Sequence, residues 1–170
     1  CCTHTGAFAL NCAQAGAEHV TAVDISKDAV ELTRRNAALN NLSDKIDVQQ
    51  ADVFDLLTTL AQEKKHPYDY IILDPPAFTK SGATVKNAYR GYKEINLKAM
   101  KLLPRGSYLA TCSCSQFMTP NLFCQMLREA AADAAVSLRQ IEDRRQSPDH
   151  PILWGVPETE YLKFYLFQII

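Results

Sequence analysis

Two thiols stand two residues apart in TCSCS, Thr111 to Ser115, and a thiolate is a potent nucleophile toward electron-poor carbon. Cysteine is also a small residue of the type most often buried, so position has to decide between chemistry and packing for Cys112 and Cys114. The preceding SYLA reads as a strand and the following QFMTPNLF as a helix entrance. Both thiols therefore fall near a strand's carboxyl end, on the same side of it, with Cys114 further out. Three acids have comparable positions. Asp24 ends HVTAVDI, Asp52 ends KIDVQQAD, and Asp74 follows the apolar run of YDYIILDPP. A carboxylate at Asp24 can accept both ribose hydroxyls of an adenosine. At Asp52 it can accept from the adenine amino group while Val53 packs on the ring. Each acid alone equally suits a strand end or a helix cap, but three in register are less easily explained that way.

The elements that hold these residues alternate. HVTAVDI is a strand, and KDAVELTRRNAALNNL has helical spacing with Ser26 as its N-cap. KIDVQQAD and DVFDLLTTLAQEKK repeat the unit, and two prolines stop YDYIILDPP. After a polar loop, YKEINLKAMKLL is helical, SYLATCSC is a strand, and Thr119 caps a helix with Pro120 at its first position. VSLRQIED and YLKFYLFQII close the chain as two strands with no helix between them. The pattern predicts an α/β fold: a mostly parallel twisted sheet, helices on both faces and a C-terminal antiparallel hairpin at one edge. Ligands of such sheets bind beyond the carboxyl ends of the strands, where the acids and thiols lie. The first turn, THTGAF, leads into a helix but is not GxGxxG, which argues against NAD or FAD.

Composition narrows the function classes. The 170 residues are 47% hydrophobic and 22% charged, which suits one catalytic domain over 1–170 with its own core. No apolar run is long enough to span a bilayer, and CCTHTGAF lacks the regions of a secretion signal, so the chain reads as cytoplasmic and no membrane partner is expected. The six cysteines have no zinc-type pairing and the four histidines form no metal constellation. The absence of a starter methionine and an opening directly into a glycine turn lead to the expectation that an N-terminal part, including most of a first strand, is missing.

These residues resemble the class I S-adenosylmethionine-dependent methyltransferases, with THTGAF similar to their first motif and DPPAF to their fourth. More narrowly, TGAF, DPPAF, RGYKEIN and SCSQFMT resemble the large-subunit ribosomal RNA cytosine carbon-5 methyltransferases that carry an N-terminal PUA domain. The tail patterns DHP (Asp149 to Pro151) and PETEYLK (Pro157 to Lys163) also fit. The resemblance implies a Rossmann-like fold and S-adenosylmethionine held by Thr5, Gly6, Ala7, Phe8, Asp24, Ile25, Ser26, Asp52, Val53, Asp74 and Pro75. It implies Cys114 as nucleophile with Asp74 beside the pyrimidine ring, and leaves Cys112 where the family has an apolar residue. The CSC arrangement is itself a departure, because the family has one cysteine in an apolar-Ser-Cys-Ser setting.

Carbon-5 of a pyrimidine is a poor nucleophile until a thiolate adds to carbon-6, so this reaction requires a cysteine near the methyl donor. Exocyclic amino methyltransferases place an aromatic residue directly after the two prolines, whereas Ala77 intervenes here before Phe78. A guanine nitrogen-7 family shares that spacing and lacks the cysteine, which makes Cys114 the discriminating residue. For substrate, Pro76, Phe78, Lys86, Arg90, Tyr92 and Lys93 are the expected contacts to ribosomal RNA. Lys80, Lys98, Lys101 and Arg105 extend the same cationic stretch. The net charge is -1, so no global field favours RNA, and a solvated helix face has an equal claim on that composition. A small-molecule methyltransferase and an inactive fragment are the remaining alternatives.

Overall fold

The computed structural model describes residues 1–63, 67–79 and 81–170. The chain forms two compact units, Cys1–Leu56 and Leu57–Ile170.

In the first unit, α1 (Ala7–Gln14) is followed by β1 (Val20–Asp24), α2 (Lys27–Leu39), β2 (Ile46–Gln50) and the start of α3 (Val53–Gln62). Strands β1 and β2 pair in parallel, from Val20 opposite Ile46 to Asp24 opposite Gln50. Ahead of α1, the Thr3 amide donates to the Val23 carbonyl at 2.9 Å, so the N-terminal residues run beside β1. The core is built from small and β-branched residues, among them Ala9, Ala13, Ala22, Val30, Ile46 and Val48. Alanines on α1 allow its backbone a close approach to the strands. Ser26 caps α2 as the sequence predicts, its Oγ accepting from the Ala29 amide.

The entry to α1 depends on Gly6. Its φ of +86° lies in the left-handed region, and a Cβ added there would stand 2.8 Å from Thr33 Cγ2. Thr33 cannot easily retreat, because its Oγ1 donates to the His4 carbonyl at 3.0 Å. Asn36 adds a second tie from α2, its Nδ2 donating to the Thr5 carbonyl at 2.8 Å. Helix α2 thus fixes the turn that opens α1.

In the second unit, β3 (Tyr70–Leu73), α4 (Val85–Leu102), β4 (Tyr108–Ser113), α5 (Pro120–Ala134), β5 (Leu138–Arg144) and β6 (Lys163–Ile169) follow the rest of α3. The sheet order is β3-β4-β6-β5. Strands β3 and β4 are parallel, while β6 is antiparallel to both β4 and β5. The expected antiparallel pair is therefore present, with β5 at the edge and a register shift between Gln140 and Glu142. Thr119 and Pro120 start α5 as read from the sequence, with Leu122 N–H donating to Thr119 Oγ1.

Helix α4 is a correction to the sequence reading, which ran a polar loop up to Gly91. The helix begins at Val85 and carries Gly91 in its interior. Glycine in a helix costs only about 1 kcal/mol against alanine, and burial of Ala88, Tyr92, Ile95, Ala99 and Leu102 on one stripe outweighs that cost. The expected continuation of α3 through Lys64 and Lys65 lies outside the described residues, as does Lys80.

Gly6→Ala should destabilise the fold by about 2 kcal/mol, from the positive φ and the contact with Thr33 together. Denaturant unfolding of Gly6→Ala and of Gly6→Ala with Thr33→Ser checks this. The double variant, lacking the obstructing methyl, should recover part of the loss and retain the part due to φ.

Candidate functional site

Residues with chemical potential collect at strand ends in each unit. In the first, Asp24 is half-buried at the end of β1. Its Oδ2 accepts from the His4 amide at 2.9 Å and its Oδ1 from the Ser26 amide at 3.0 Å. Each carboxylate oxygen has a second lone pair, so Asp24 is oriented by two backbone donors and can still accept two hydroxyls. Ile25, next in the chain, is 65% exposed and Phe8, in the first turn of α1, is 45% exposed. Thr5 is half-buried, and Ala7 and Ser26 are exposed. Asp52 accepts the Phe54 amide on Oδ1 at 2.7 Å and so caps α3; Val53 is buried. An oriented carboxylate with free lone pairs has the acceptor chemistry that the two hydroxyls of a ribose require.

In the second unit the TCSCS segment presents different groups in alternation. Register puts Leu73 opposite Thr111, which brings Asp74 alongside Cys112. The Cys112 thiol hydrogen-bonds the Asp74 carboxylate, and burial, opposed by this bond, raises the Asp74 pKa above the usual carboxylate range. Cys112 itself is buried; burial first, and the charges of Asp74 and Cys114 next, push its thiol far up. Cys114, just past β4, is only half-buried. Burial and the Asp74 carboxylate raise its pKa, while Lys163 draws it back down. Cys112 is thus held as a neutral donor, and Cys114 is the more accessible thiol of the pair.

The serines of the segment tie it to its surroundings. Ser113 Oγ donates to Tyr92 Oη at 3.1 Å, and the Ser115 amide donates to Ser113 Oγ at 3.4 Å. Ser115 Oγ donates to the Thr79 carbonyl at 3.0 Å, which fastens the turn after β4 to the loop that follows Asp74. In that loop Pro75 is buried, Pro76 exposed and Phe78 half-buried, with the Phe78 ring 4.5 Å from that of Tyr92. The aromatic contacts continue from Tyr92 to Phe123 and from Phe123 to Tyr165.

Two expected substrate contacts are corrected. Tyr92 is completely buried and its hydroxyl is engaged with Ser113, so it supports the Cys114 turn from below and has no surface on which a base could stack. Lys93 is bound to α5 through Glu129 at 3.4 Å and Asp133 at 2.9 Å. Lys86 and Arg90 are exposed on α4.

One residue that the sequence reading left without a role is Lys163, which is 6% exposed at the start of β6. It lies opposite Ser113. Its Nζ donates to the carbonyls of Ser115 at 2.5 Å and Tyr161 at 2.7 Å. Burial, opposed by Cys114, lowers its pKa to about 8. The signal was strand parity: Lys163, Tyr165, Phe167 and Ile169 alternate along β6 and are all buried. A lysine in the inward phase of an otherwise apolar strand needs internal partners.

The first unit thus presents an oriented carboxylate at a strand end, and the second a half-exposed cysteine near a half-buried acid. The chain belongs to the S-adenosylmethionine-dependent methyltransferase family, whose model matches residues 1–168. It is 39% identical over 171 residues to ribosomal RNA large subunit methyltransferase I of Shigella dysenteriae and 38% identical to the protein of that name from Escherichia coli. Each alignment takes in 100% of this chain and 43% of the relative, so the chain spans less than half of their length. Among solved structures it resembles SMU.776, a methyltransferase by description, complexed with SAH, at TM-score 0.84 and 20% identity, over 98% of this chain and 43% of that one. The O-methyltransferase from Bacillus cereus in complex with SAH matches at TM-score 0.65 and 17% identity, over 99% of this chain and 70% of that one. These likenesses show the Rossmann-like α/β methyltransferase fold that the strand and helix alternation predicts. No helix among the described residues is long and apolar enough to cross a membrane.

The low Lys163 pKa has a consequence for stability. Folding favours the neutral amine, so the stabilisation is present above the unfolded lysine range near 10.5 and is lost as pH falls through about 8. The melting temperature of the parent relative to Lys163→Met should therefore rise between pH 8 and 10.5. A difference that stays flat over that interval would mean that the amine is not held in a desolvated position.

Proposed function

We propose that this chain is the catalytic part of a methyltransferase that forms 5-methylcytosine in large-subunit ribosomal RNA, with Cys114 as nucleophile. The observation that carries this reading is the half-exposed Cys114 at the open end of β4, on a turn anchored by Ser115, with Asp74 close by. The name of the relatives supports large-subunit ribosomal RNA as substrate.

Asp24 accepts the ribose hydroxyls, with Thr5, Gly6, Ala7, Phe8, Ile25, Ser26, Asp52 and Val53 around the nucleoside. S-adenosylmethionine, when bound, would supply an electrophilic methyl to carbon-5 of the cytosine and leave as S-adenosylhomocysteine. Cys114 makes that carbon reactive: its thiolate forms a bond to carbon-6, pushing electron density toward carbon-5. Asp74 receives the edge of the ring near nitrogen-3 and stabilises the altered charge there. Transfer of the carbon-5 proton to water then re-forms the double bond, breaks the sulfur–carbon bond and returns the thiolate. Phe78 and Pro76 border the base, and Lys86 and Arg90 meet backbone phosphates from α4.

Nucleoside mass spectrometry of large-subunit ribosomal RNA treated with the protein tests the reading. Cys114→Ala should abolish formation of 5-methylcytidine. Cys112→Ala should retain it while lowering stability by about 1 to 2 kcal/mol, because a packed sulfur and its bond to Asp74 are lost. Methylation surviving Cys114→Ala would exclude the thiol from the chemistry. Calorimetry provides an independent check of the nucleoside site. Asp24→Ala removes a charged acceptor of two hydroxyls, worth about 1.5 to 3 kcal/mol, or roughly one to two decades in affinity for S-adenosylhomocysteine. Replacing Lys86 and Arg90 together should weaken RNA binding and flatten its salt dependence, with nucleoside affinity unchanged.

A further inference from the structure

The environment of Cys114 poses an electrostatic problem. A cysteine attacks as its thiolate, yet this one sits beside a carboxylate and is partly removed from water. The titratable groups that face it come from four elements: Asp74 after β3, Cys112 on β4, Tyr92 on α4 and Lys163 on β6. Three of them ionise to anions. Lys163 is the one cation among these described groups.

Its placement is built by hydrogen bonds and strand register. Lys163 is the partner of Ser113 in the antiparallel β4–β6 ladder, and its Nζ donates to the carbonyl of Ser115. The side chain therefore spans the backbone on both sides of Cys114. A second bond, to the Tyr161 carbonyl, holds the ammonium from the residues just ahead of its own strand. Ser115 also donates to the Thr79 carbonyl, so the lysine and the loop after Asp74 hold the same residue.

We propose that Lys163 is the positioning residue of the thiol site: its buried ammonium clamps the turn that carries Cys114 and supplies the positive charge that allows the thiol to ionise beside Asp74. The proposal rests on Cys114 as the nucleophile and adds the group that activates it. The thiol proton leaves to water, and the resulting thiolate is balanced by the ammonium. Loss of one proton from the pair gives either thiolate with ammonium or thiol with free amine, so the two groups titrate together. Near neutral pH the lysine, with a pKa of about 8, is still largely charged.

Alkylation by iodoacetamide tests this without RNA. The reaction is followed from about pH 6 to 10, and the Cys114 peptide is read by mass spectrometry. Lys163→Gln keeps N–H donors for the two carbonyls but carries no charge. It should move the Cys114 profile alkaline by about one unit and slow alkylation at pH 7.5 roughly tenfold. Lys163→Arg should restore most of the rate. Superimposable profiles for the parent and Lys163→Gln would overturn the proposal. Should the lysine variants fail to fold, the reciprocal measurement remains. In a lysine 13Cε NMR titration, Lys163 should titrate at lower pH in Cys114→Ser than in the parent, because the thiolate that favours its charge is gone. An unchanged midpoint would overturn the proposal equally. Because neither readout contains RNA, the lysine–thiol pairing and the role of Cys114 in methylation stand or fall separately.

Discussion

A lysine buried at the first residue of β6 gives up most of its hydration and recovers two carbonyl hydrogen bonds in exchange. Such a position is tolerable only if the carbonyls are held in place. The Ser115 carbonyl is, because Ser115 Oγ donates to Thr79 and its amide to Ser113 Oγ. Ser113 is tied in turn to Tyr92, whose ring packs on Phe78 and meets Phe123 edge-on. The chain of contacts from β6 to the Asp74 loop and back through α4 converges on the few residues around Cys114. These contacts together hold the carbonyls that satisfy one desolvated cation.

The same design appears in the first unit with different groups. There the turn before α1 is held by side chains of α2, Thr33 and Asn36, which donate to the carbonyls of His4 and Thr5. Gly6 is required because that approach leaves no room for a Cβ. Asp24 is oriented by the His4 amide of that turn and by the Ser26 amide that begins α2. In both units, side chains of a neighbouring element bond the backbone at a strand end and so fix the group expected to do chemistry. Positioning of this kind is what a transfer reaction needs, since displacement of a reacting atom by about 1 Å costs orders of magnitude in rate.

The order of strands and helices was legible because apolar periodicity and capping residues agree along most of the chain, as at Ser26 and at Thr119 with Pro120. It failed at α4, where Gly91 and the polar residues around it outweighed a buried stripe whose first member is Ala88. The acids at strand ends and the parity of the thiols were also readable, since both follow from where a strand stops. Tyr92 and Lys93 were misassigned for a common reason. A tyrosine or lysine on a cationic helix looks the same in sequence whether it faces solvent or a neighbouring element, and α5 decides the matter by setting Phe123 against Tyr92 and supplying Glu129 and Asp133 to Lys93. Lys163 was missed because its partners are backbone carbonyls, which have no sequence signature. Its inward parity on β6 was the available clue.

The central claim is that Cys114 forms a covalent bond to a cytosine of RNA during methyl transfer. RNA containing 5-fluorocytidine at the target tests it most directly, because fluorine cannot leave carbon-5 as a cation and the sulfur–carbon bond then persists after methylation. Incubation with the protein and S-adenosylmethionine, followed by digestion and peptide mass spectrometry, should place the nucleotide on Cys114. An adduct on Cys112, or complete methylation with no adduct on either thiol, would contradict the account.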